Sequence, residues 1–235
     1  MSFTGMILHE DKIADYVVIA TWSSNNVKTG DMIQIWILCI SEDPVTAQKT
    51  GNDSIICFDC KHRDGSCYVK TFQAPLQVYK SYKKGNYMPL DLQYLKAQMG
   101  WKAVRFGAYG ESILVPLEIV QFIAENSPKG WTGYTHQWLD KKYNDYKNYF
   151  MASVDTPIEY EVANLNGWRT YRVSADNSTL KNEIECPHDL KKIQCRDCRL
   201  CDGLGRHKNG KNIAVVVHGS AGVINAFNRI EVATI

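Results

Sequence analysis

The chain of 235 residues is short of several things, and each shortage closes off a class of protein. It has no long apolar run. Its longest, Met32–Ile40 and Ile213–Val217, reach about half the length a membrane span needs. It has no large excess of charge: 27 Lys and Arg against 25 Asp and Glu leave a net charge of +2, so its affinities cannot come from phosphate neutralisation alone. Seven prolines and sixteen glycines exclude a collagenous or disordered chain. The start, Met-Ser-Phe-Thr-Gly, lacks the basic and then apolar segments of a secretory signal, and the expected location is the cytoplasm. Gly203-Leu-Gly205 and Gly219-Ser-Ala-Gly222 lack the spacing of a phosphate-binding loop. No nucleophile elbow and no Ser–His–Asp order marks a hydrolase.

What the chain does have is eight cysteines, and they are not scattered. Cys57, Cys60 and Cys67 share one short segment; Cys186, Cys195, Cys198 and Cys201 share another; Cys39 stands alone in the strand-like Met32–Ile40. In a reducing compartment, clustered cysteines read as metal ligands before disulfides. Cys195, Cys198 and Cys201 follow one another at x2 spacing, with Cys186-Pro187 upstream as a natural fourth ligand. Zinc usually takes two separated pairs, whereas three cysteines at successive x2 spacing wrap a cube, as in ferredoxins. An iron–sulfur cluster is the first reading here, with zinc and plain reduced thiols as the others.

The early group, Cys57-x2-Cys60-x6-Cys67, has three thiolates and no obvious fourth. That leaves a coordination position open for a substrate or cofactor, unless His62 or Cys39 closes a zinc site. For Cys39 the favoured reading is core packing.

Between the two groups the chain alternates. Strands are expected at Asp15–Thr21, Met32–Ile40, Lys102–Tyr109, Trp131–Gln137, Phe150–Val154, Trp168–Val173 and Asn212–Val217. Helices are expected at Pro75–Lys83, Leu90–Met99, Pro116–Asn126, Leu139–Lys147 and Pro157–Asn166, with Ser41–Asp53 a polar linker. This pattern predicts one α/β domain over 1–235: an irregular part with the first cysteine loop over 1–100, βα repeats over 101–180, a second cysteine loop over 181–211, and a last strand with a C-terminal segment over 212–235. The fold class expected is a partial or trimmed TIM-barrel-like parallel βα fold with two cysteine-rich metal-binding loops, since a full barrel needs about 250 residues. Glu111, His136, Asp155 and His218 fall at strand ends, where parallel folds place their sites. Glu111, His136 and His218 are the candidate catalytic residues. Arg105 and Arg172 are candidate anion clamps or buried partners of Glu111 and Asp155.

Several islands carry a family resemblance: Asn26-Val-Lys-Thr-Gly30, Cys57, Cys60, Cys67-Tyr68, Arg105-Phe-Gly-Ala-Tyr-Gly-Glu111, Tyr134-Thr-His136 and the Cys186–Cys201 group. Together they resemble small phage-encoded proteins of the gene-product eighty-eight kind, similar in outline to radical S-adenosylmethionine enzymes. The resemblance implies a [4Fe–4S] cluster on Cys57, Cys60 and Cys67 that binds S-adenosylmethionine. It implies a cofactor contact at Gly110, Glu111 and Tyr68, and an auxiliary cluster on Cys186, Cys195, Cys198 and Cys201. It also implies a host-cytoplasmic setting. The spacing of the first loop differs from that superfamily's usual Cys-x3-Cys-x2-Cys.

A second reading comes from charge. Six Lys or Arg residues between Lys61 and Lys84 face one acid, Asp64, and interleave with Phe72, Tyr79 and Tyr82. Segment 191–208 is also basic, with Lys191, Lys192, Arg196, Arg199, Arg206 and Lys208. Such stretches suit nucleic acid by charge and stacking, or simply a solvated surface. A zinc-stabilised nucleic-acid-binding or interaction protein is therefore the alternative.

Overall fold

The structure, a computed structural model, describes residues 3–63, 65–176, 178–206 and 210–233. The sequence reads as one domain; the chain divides into two compact units, one of residues 1–59 and 70–132, the other of 60–69 and 133–235. Both are α/β with sheets rich in parallel pairs.

The first unit begins with a hairpin, β1 (Gly5–Asp11) and β2 (Tyr16–Thr21). Asp11 shapes its turn, accepting from the N–H groups of Ile13 and Ala14. β3 (Ile33–Cys39) pairs antiparallel with β2 and is buried at all seven positions. A strand covered on both faces reads as a continuous apolar run, which is why Met32–Ile40 stands out in the sequence. Its one polar member, Gln34, donates to the carbonyls of Thr29 and Met32.

α1 (Pro44–Thr50) occupies the segment expected to be a linker, Ser41–Asp53, and α2 (Ser54–Cys57) follows it into the first cysteine group. The signals for α1 are local. Asp43 caps the N-terminus by accepting from Val45 and Thr46, Pro44 fills the first turn, and Gly51 ends the helix at φ 84°. Only one turn of its seven residues is buried, so there is little apolar periodicity to read.

α3 (Ala74–Lys83) and α4 (Leu92–Met99), the latter capped by Asp91, lead into β4 (Val104–Tyr109). α5 (Leu117–Asn126) buries Ile119, Val120 and Ile123 before β5 (Trp131–Thr132). β3, β4 and β5 run parallel, and the sheet order is β1-β2-β3-β4-β5.

The second unit holds β6 (Tyr134–Thr135), β7 (Met151–Val154), α6 (Pro157–Leu165), β8 (Thr170–Ser174), β9 (Glu183–Glu185), α7 (Pro187–Lys191), α8 (Cys195–Cys198), β10 (Asn212–Val216) and α9 (Ala221–Ala233). Its sheet is parallel throughout, in the order β6-β7-β8-β10-β9. The strand expected over Trp131–Gln137 is instead two short strands in different sheets, because Gly133 breaks the ladder. The Gly133 N–H donates to Cys201 O at 2.7 Å, and its carbonyl accepts from Met151 at 3.0 Å. The expected polar helix over 139–147 is a 3-10 helix, Lys141–Asn148, and the C-terminal segment contains α9. α6 carries a full capping box between Thr156 and Glu159, and Gly167 follows it at φ 80°.

Candidate functional site

In the second unit the carboxyl ends of parallel strands and the segment 60–69 build one polar cluster. Asp155 directly follows β7 and is only 1% exposed. Its Oδ2 meets His62 Nε2 and Lys61 Nζ, each at 3.0 Å, and Lys61 Nζ also reaches Glu159 Oε1 at 2.8 Å. The other oxygen, Oδ1, is buried without a hydrogen-bond partner. Burial alone raises the Asp155 carboxyl, but the His62 hydrogen bond and the charges of His62 and Lys61 outweigh it and hold the group below its ordinary 3.8. Burial lowers the Lys61 ammonium, yet Asp155 and Glu159 together leave it raised.

His62 Nδ1 lies 2.7 Å from Ser66 Oγ, so Ser66, His62 and Asp155 stand in hydrogen-bonded series. No local motif announces this succession. It does not make an acyl-transfer site: Ser66 is itself buried, and the neighbouring Cys67 N–H is spent on His62 O at 2.8 Å rather than free for an oxyanion. Both ring nitrogens of His62 being engaged, His62 is not a spare ligand for the first cysteine loop.

The His62 ring stacks on Phe227 of α9 at 5.9 Å and meets the His136 ring edge-on at 5.5 Å. Cys60 Sγ and a ring nitrogen of His136 come within 4.8 Å of each other. Cys60 and Cys67 belong to this unit, while Cys57 belongs to the first.

A second cluster is aromatic. Tyr68 Oη and Tyr134 Oη are hydrogen-bonded at 2.5 Å, and Tyr134 stacks face to face on Tyr171, 5.0 Å apart and 6° from parallel. Tyr68, 43% exposed, also stacks on His218 at 5.9 Å. His218 follows β10, and its Nδ1 lies 3.0 Å from Val216 O. Burial raises the Tyr171 phenol well above its usual range, and the nearby Tyr68, Tyr134, Cys201 and Cys186 add to this.

The late cysteine loop is the most heavily fastened part of the unit. Arg169, 4% exposed, donates to Asp202 Oδ1 at 2.9 Å and to the carbonyls of Gly203, Leu200 and Lys211 at 2.6, 3.0 and 2.7 Å. Gly203, at φ 66°, lets the loop approach the backbone of 147–150 so closely that a Cβ would stand 2.7 Å from Lys147 O. Leu204 and Gly205 then donate to Lys147 O and Asn148 O. Cys186 N donates to Ala214 O, extending the β9–β10 pairing.

Burial pushes the Cys201 thiol well up, and Cys186, Cys195 and Cys198 push it further. Burial raises Cys186 and Cys198 as well. The four sulfurs thus share one electrostatic neighbourhood. Among the described residues, no three of them lie within 4.8 Å of one another.

Other expected residues fall elsewhere. Gly110 and Glu111 end β4 in the first unit. Glu111 is buried, with its N–H on Ile56 O, and Gly110 sits at φ 80°, where a Cβ would strike Ile37. Arg172 does not pair with Asp155: it holds Glu183 of β9, two strands away in the sheet, through two 2.9 Å bonds. Cys39 packs in β3 with its sulfur on Asn52 O, and burial, then Asp15, push its thiol to about 12.

The basic stretch 61–84 is divided at 69/70 between the units. Its tyrosines are engaged, Tyr79 on Ile40 O and Tyr82 on Glu10, with Lys83 over both rings. Asp64 and Lys208 lie outside the described residues. No family model, curated protein or solved structure matches this chain.

Proposed function

We propose that this protein is an iron–sulfur metalloprotein of the phage type, related in outline to radical S-adenosylmethionine enzymes. Cys186, Cys195, Cys198 and Cys201 would be the ligands of a closed [4Fe–4S] centre. The observation that carries the reading is four half-buried thiols in one short segment, with Cys186, Cys195 and Cys198 each near enough to raise Cys201 electrostatically, and with Arg169 fastening the chain that follows Cys201. Four thiols in one segment are a soft donor set of the kind that iron–sulfur clusters and zinc take.

Sulfurs around a single zinc, with Zn–S about 2.3 Å, stand about 3.8 Å apart, and a cube holds its thiolates further out. The parallel strand–helix–strand run β7–α6–β8 is the element from which βα barrels are made, which supports reading the fold as a trimmed barrel. The polar cluster at its strand ends, with His136, Asp155, His62 and Cys60, is where a substrate would be handled. A bound cluster supplies one-electron chemistry, while the chain supplies placement and exclusion of water.

Anaerobic purification with metal analysis tests this. The expected result is iron and sulfide at about four per chain for one centre or about eight for two, with broad absorption near 400 nm. Colourless protein with zinc at one or two per chain sinks it and leaves the zinc-stabilised binding protein. Titrating S-adenosylmethionine into the reduced protein, and watching its electron-spin signal, tests the cofactor. Among the described residues, no helix is long and apolar enough to cross a membrane.

A further inference from the structure

Three tyrosines that no ligand set requires form a continuous series in the second unit. It starts at the surface with Tyr68, stacked on exposed His218. It passes through the Tyr68–Tyr134 hydrogen bond and continues inward through the parallel stack of Tyr134 on Tyr171. The backbone ties the late cysteine segment to the chain beside its middle member and beside its inner one. Gly133, adjacent to Tyr134, donates to Cys201 O at 2.7 Å. Cys186 N donates to Ala214 O, and Ala214 pairs with Arg172, the neighbour of Tyr171.

Resting on the iron–sulfur reading above, we propose that Tyr68, Tyr134 and Tyr171 form the electron path between the surface at Tyr68 and His218 and the centre held by Cys186 and Cys201. Electron tunnelling falls steeply with distance, and less steeply through packed atoms than through gaps. Face-to-face rings and a direct phenol–phenol hydrogen bond give a bridge without voids. The step moves one electron from a low-potential one-electron donor to the cluster. The donor is oxidised by one electron and the cluster reduced by one. No bond forms or breaks, and the phenols keep their protons, serving as medium and not as carriers.

The test follows reduction of the oxidised, iron-loaded full chain by photoreduced methyl viologen in a stopped flow, reading the bleach near 400 nm. Iron content and the electron-spin signal of the reduced cluster are measured alongside. Tyr134→Leu is expected to slow the bleach by about tenfold, because a gap replaces a packed ring. Tyr134→Phe, which keeps the ring, is expected to stay near the parent rate. Unchanged rates in Tyr134→Leu at full iron content overturn the path while leaving the iron–sulfur reading intact. Should Tyr134→Leu lose iron, Tyr68→Leu at the half-exposed end takes its place, with slowing expected and an unchanged rate overturning the path. A parent protein without iron overturns both readings together.

Discussion

Two loops of the second unit, 60–69 and 199–211, meet the same difficulty by opposite means. Among the described residues each is largely without regular structure, the first with Cys60 and Cys67 and the second with Cys201. The late loop is fastened by one buried cation, Arg169, whose guanidinium serves three carbonyls and one carboxylate. The early loop is fastened by one buried anion, Asp155, which serves a histidine and a lysine and leaves an oxygen unused. A guanidinium never loses its proton, and carbonyls have none to gain, so most of the late anchorage is indifferent to pH. The early anchorage depends on charge at both ends. Permanence suits a frame for a closed centre. An anchor with an unfilled acceptor suits a place where something arrives.

The largest expected effect comes from removing the cation. Arg169→Met removes the buried ion pair to Asp202 and three hydrogen bonds to carbonyls and should cost about 4 kcal/mol in urea denaturation. A loss under about 1 kcal/mol would show that the late loop is held by something else. Next, Gly203→Ala forces a left-handed backbone on alanine and drives its Cβ into Lys147 O and Phe150 N. A loss of about 3 kcal/mol is expected by the same measurement, against little change for Gly85→Ala, whose Cβ meets nothing, beyond the strain of its own positive φ.

Third, Asp155→Asn should cost about 2 kcal/mol, discounted because Lys61 is partly exposed. It should also change the pH profile. The folded carboxyl sits below its ordinary 3.8, so its contribution is present in full well above that pH and lost as pH falls through the lower folded value. The parent melting temperature should therefore drop on acidification more steeply than that of the variant. Parallel profiles would remove Asp155 as the anchor. The smallest effect is Thr156→Ala, which removes half of the capping box beneath Glu159 and should cost about 1 kcal/mol, read from thermal melts.

Much of this was legible along the chain. β3 shows as an apolar run because it is buried on both faces, α5 shows through Pro116 and apolar spacing, and α6 through Pro157 and the following Gly167. The placing of polar residues at strand ends put His136, Asp155 and His218 in view. α1 was missed although Asp43-Pro44 and Gly51 are its signals, since seven residues with one buried turn give no periodicity. The strand-end cluster was legible only in part. Ser66, Lys61 and Phe227 join it across long stretches of chain, and no spacing relates residue 62 to 155 or 227. Tyr171 reads as an ordinary strand aromatic until Tyr134 lies on it.

By itself, the order of residues determined the longer central strands and helices and where the cysteines cluster along the chain, because periodicity, caps and spacing act over a few neighbours. Which carboxylate holds which loop, where Arg172 and Arg169 spend their hydrogen bonds, and that three phenols align were decided only on folding. Those pairings are made between chain segments far apart in sequence, and their geometry exists only once the parallel sheet has brought the strand ends together.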